Sequence, residues 1–204
     1  MAVYRKTSLN DFYNGMLIND VSGLICELSP DYAKDTLADE KELIEFCELI
    51  RQCFAGQSLY YYFEIRTYSS LKHSMGLWGY LKNRIEWTSQ TYFSKTNRIE
   101  LSEGENLYGV CEFPIDQISI VLSLLLEMPS LSFAIIHEKG NVREFTRLLS
   151  KRYFPSKIKD INSLLADYHH LLLAILGNNG MSLCCLTLDE PRELNHRVSF
   201  RSSD

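Results

Sequence analysis

Chain breakers are scarce in this sequence: its 204 residues include only 10 Gly and 5 Pro. That is below ordinary usage and excludes collagen-like, low-complexity and disordered readings. Long hydrophobic runs are also missing. A membrane-spanning helix needs roughly 18 consecutive apolar residues, and the densest stretch here, Ile118 to Leu126, is interrupted by Ser119 and Ser123. The opening residues MAVYRKTSLNDF have no apolar segment of the kind a secretory signal requires. Together these absences predict a soluble, cytoplasmic protein with no membrane partner. What is present, 46% apolar and 23% charged residues, fits an ordinary globular chain folded as a single domain over residues 1–204.

Catalytic and ligand-binding signatures are absent too. There is no G-x-S-x-G, G-x-x-x-x-G-K-[ST], G-x-G-x-x-G or H-E-x-x-H. The pairs Gly76/Gly79 and Gly177/Gly180 enclose segments too short to cradle a phosphate. Cys26, Cys47, Cys53, Cys111, Cys184 and Cys185 all sit in apolar runs, where free thiols behave as small hydrophobes. None shows the two-to-four-residue spacing of a zinc site, so no disulfide, metal or cofactor is expected, and no catalytic residue is assigned.

The net charge of −5 is a sum of opposed blocks. Glu27 to Glu48 holds eight acids against Lys34 and Lys41; Lys139 to Lys159 holds seven bases against Glu144. Blocks of this size create separate potentials on one surface or neutralise each other across a fold.

Periodicity divides the chain into short elements. Gly23 to Leu28 reads as a buried strand. An amphipathic helix follows Thr36-Leu-Ala-Asp39, with Leu43, Phe46, Cys47, Ile50, Cys53 and Phe54 on one side and Asp39, Glu42 and Glu45 assigned to the other. Gly56 ends it.

The alternating stretch Leu59 to Tyr68 is a strand, with Leu59, Tyr61 and Phe63 on one face and Tyr60, Tyr62 and Tyr68 on the other. Short strands near Arg84–Thr88, Asn97–Leu101 and Leu107–Phe113 complete a meander over about residues 59–113. Within it the repeated Arg-Ile-Glu triplets at 84–86 and 98–100 would pair with complementary charges.

Pro114 opens a strongly apolar helix and Pro129 closes it. Leu131 to Ile136 is a central strand, and helices are expected at Asn141–Tyr153 and from Asp160 to about Leu176. The last strands are Met181–Leu188 and Arg197–Phe200. This order predicts an α+β fold in which a mixed or mainly antiparallel sheet packs against about four helices.

Three surfaces could carry function. Asp35, Asp39, Glu42 and Glu45 offer a basic partner an acidic helix face. Tyr60, Tyr62 and Tyr68 form a polar-tipped aromatic face of the kind interfaces use. Arg143, Arg147 and Lys151, at i, i+4 and i+8, form a positive stripe suited to an anion. His137-Glu138, at the end of a buried strand, could join that stripe, although adjacent residues on an extended chain point to opposite sides. His169 and His170 are assigned to the solvent side of a helix.

The resulting expectation is a non-enzymatic, protein-binding inhibitor, most concretely a bacterial immunity-type protein that neutralises a basic toxin or nuclease domain by occlusion. The alternatives are a small enzyme or nucleotide/anion-binding protein using His137, Arg143 and Arg147, and an RNA or DNA binder. The acidic balance speaks against nucleic acid.

Overall fold

In a computed structural model of the chain, the structure describes residues 3–7, 11–13, 16–18, 21–28, 37–65, 85–87, 107–128, 132–140, 161–177 and 180–187. The strands are β1 (Val3–Thr7), β2 (Asp11–Tyr13), β3 (Met16–Ile18), β4 (Val21–Leu28), β5 (Ser58–Ile65), β6 (Ile85–Trp87), β7 (Leu107–Pro114), β8 (Ser132–His137), β9 (His170–Gly177) and β10 (Gly180–Thr187). The helices are α1 (Leu37–Cys53), α2 (Ile118–Glu127), entered through a 3-10 turn at Ile115–Gln117, and α3 (Ile161–Tyr168).

Eight strands form one sheet in the order β1-β4-β10-β9-β8-β5-β7-β6, and every described pairing is antiparallel. The fold is therefore α+β, with three helices among the described residues. The helix expected at Asn141–Tyr153 and the strands expected at Asn97–Leu101 and Arg197–Phe200 lie outside those residues.

Both faces of the sheet are covered, and the alternation of side chains along each strand sorts them into two cores. Leu59, Tyr61 and Phe63 join Cys111, Phe113, Ala134 and Ile136 beneath α1 and α2. Tyr60 and Tyr62 join Val110, Phe133, Ile135 and Leu173 beneath Leu164, Leu165 and Tyr168 of α3. Coverage on both sides explains why β8 and β9 read as unbroken apolar runs.

α2 inserts Ile118, Val121, Leu122 and Leu125, all fully buried, into the first core. Each such side chain contributes about 2 kcal/mol of transfer free energy. The Ser132 hydroxyl closes the helix by donating to the Met128 carbonyl at 2.7 Å.

Three expectations change. The chain from Asp160 to Leu176 is not one helix: α3 stops at Tyr168, His169 takes a left-handed backbone conformation (φ 62°), and His170 begins β9. The run Leu171–Ile175 is apolar at every position, so periodicity does not separate a buried strand from a buried helix; pairing with β8 and β10 decides the matter. Gly177 and Gly180 pair across the β9–β10 connection and therefore mark a hairpin rather than a helix terminus. Within the expected meander, β6 pairs directly with β7, Ile85 opposite Cys111, so the spatial order is β5-β7-β6.

The amino-terminal strands β2 and β3 were not expected from periodicity. β2 and β3 pair with Tyr13 opposite Met16. The two residues between them, Asn14-Gly15, are a strong hairpin signal.

Candidate functional site

One end of the sheet collects polar residues. Ser58 opens β5 opposite His137, which closes β8, while His170 opens β9 opposite Thr187, which closes β10. Alternation puts Ser58, Tyr60, Glu112 and His137 on the α3 side, and His170 and Thr187 on the α1 side.

On the α3 side, the fully buried Tyr60 extends its hydroxyl to the turn after β8, donating to the Glu138 carbonyl at 2.5 Å. Its cross-strand neighbour Glu112 approaches the same hydroxyl at 3.3 Å and accepts the Gly140 N–H at 3.1 Å. Gly140 has φ +97°, a conformation that glycine adopts without strain.

At the His137 strand end the Gly140 N–H is held by the half-buried Glu112 carboxylate, and the exposed Glu138 lies beside it. His137 is half-buried.

On the α1 side, His170 Nδ1 lies 2.9 Å from Thr187 Oγ1, and its ring tilts against Phe54 with centroids 4.7 Å apart. His170 is therefore half-buried in the sheet end, while His169 is exposed. Their expected placement together on a solvent-facing helix surface is corrected by the turn at His169. A hydroxyl beside an imidazole resembles a nucleophile–base pair, but Thr187 is only 1% exposed, which denies a substrate approach. His137 and His170 project from opposite faces, and no group of three metal-ligating side chains occurs among the described residues.

The six cysteines are all buried. Burial pushes the Cys47 thiol above its ordinary range, against the opposing pull of the Arg51 guanidinium one turn away. That environment disfavours a reactive thiolate.

The outer face of α1 is the other candidate. Glu40, Lys41, Ile44, Glu45, Glu48 and Gln52 are exposed. Lys41 reaches Glu45 at 4.0 Å, and Arg51 bridges Glu48 at 3.4 Å while donating to the Asp116 carbonyl at 3.2 Å. Arg51 thereby ties α1 to the 3-10 turn before α2. Of the acidic residues expected here, Glu45 is exposed and Glu42 is half-buried; Asp39 lies in the first turn of α1, and Asp35 lies outside the described residues.

The expected aromatic docking face is not exposed. Tyr60 and Tyr62 are fully buried within the second core, to which α3 contributes Leu164, Leu165 and Tyr168 on the side of the sheet that was expected to face solvent. Tyr68, Arg143, Arg147 and Lys151 lie outside the described residues.

Glu40, Ile44 and Glu48 on α1 and Glu112 on β7 were not among the residues expected to carry function. Ile44 could have been found on a helical wheel, because it falls away from the stripe of Phe46, Cys47 and Ile50.

No helix among the described residues is long and apolar enough to cross a membrane. Comparison with protein families, with curated proteins and with solved structures gives no match to this chain.

Proposed function

We propose that this protein is a non-enzymatic inhibitor of the immunity type, which occludes a basic toxin or nuclease domain through the outer face of α1. The observation that carries the reading is the exposure of Glu40, Glu45 and Glu48 together on one helix whose opposite side is anchored in the core. Acidic side chains on a rigid element steer a cationic partner during encounter and raise the association rate.

The test is co-expression with candidate toxins drawn from the genes that neighbour this one, scoring survival and complex formation. The wild-type chain protects and co-purifies with the toxin, whereas Glu45→Lys/Glu48→Lys protects poorly and its complex forms more slowly at low salt. Loss of neither protection nor complex in that variant would remove α1 from the interface, and absence of protection by the wild type would remove the inhibitor reading.

A further inference from the structure

We draw no further inference here: the strongest candidate, the side-chain cluster of Ser58, Tyr60, Glu112 and His137 at the end of the sheet, belongs to the site already described, where Ser58, opposite His137, is only 2% exposed and Tyr60 and Glu112 hold the turn after β8.

Discussion

The Tyr60 hydroxyl donates to the main-chain oxygen of Glu138, 78 residues away, at 2.5 Å. That bond joins the middle of the sheet to the turn that follows β8, and Glu112 completes it by receiving the Gly140 N–H. A buried tyrosine and a half-buried carboxylate therefore fix this strand end.

Tyr60→Phe removes the donor while keeping the ring in the second core. The expected cost is about 1 kcal/mol, the usual value of one such hydrogen bond, read as a lower denaturation midpoint with an unchanged slope. Amide exchange at Gly140 should accelerate by more than exchange in β5. Glu112→Gln retains an acceptor for Gly140 and should cost less than Glu112→Leu, which removes it.

Gly23 is required by close approach. It pairs with Arg5 on one side and Leu186 on the other, and a Cβ placed there would lie 2.8 Å from the Cys185 carbonyl oxygen. The clash is with backbone, so relief requires β4 and β10 to separate. Gly23→Ala should destabilise by about 1–3 kcal/mol, whereas alanine scanning of solvent-facing positions on α1 should leave the midpoint nearly unchanged.

The cysteines make a prediction about reactivity and pH. All six are buried, so a thiol-specific reagent should find no fast-reacting group in the native protein and six after unfolding. Burial raises the Cys47 thiol above its ordinary value, which means the folded state holds the proton more tightly than the unfolded chain. The stability this contributes is complete below that value and is lost as pH rises through the folded-state titration. Cys47→Ala should therefore show a shallower loss of stability on the alkaline side than the wild type, after allowance for the small cavity it creates.

The sequence made some elements legible and concealed others for identifiable physical reasons. α2 is bounded by prolines and carries one clear apolar stripe; Ile118, Val121, Leu122 and Leu125 are buried as that stripe predicts. The two-sided alternation of β5 was legible as well, down to which tyrosines share a face. What alternation does not reveal is whether a second layer covers that face, and the polar residues Glu64 and Arg66 beyond Tyr62 made it look solvent-facing when Tyr60 and Tyr62 are in fact enclosed. The switch from α3 to β9 was concealed for a different reason. Leu and Ala favour helices in isolation, and only pairing with β8 and β10, distant in sequence or reached through a hairpin, makes His170–Gly177 a strand. The acidic block was evident from composition, but its outward members are Glu40, Glu45 and Glu48. Glu42 falls on the flank because three-residue steps drift around a helix of 3.6 residues per turn.

The pairing of His170 with Thr187 tests whether the α1 side of the sheet end is structural. Thr187 is almost completely buried, and its hydroxyl meets Nδ1 of a ring already packed against Phe54. Thr187→Val keeps the volume and branching but removes the hydroxyl, so an imidazole nitrogen loses its partner in a half-buried setting. The expected cost is about 1–2 kcal/mol, and Thr187→Ser, which restores the hydroxyl at the cost of a methyl group, should recover part of it. Neither substitution should alter protection in the toxin co-expression assay beyond what lower protein abundance explains, because the pair is remote in role from the outer face of α1. A loss of protection by Thr187→Val at wild-type abundance would show instead that the sheet end takes part in function.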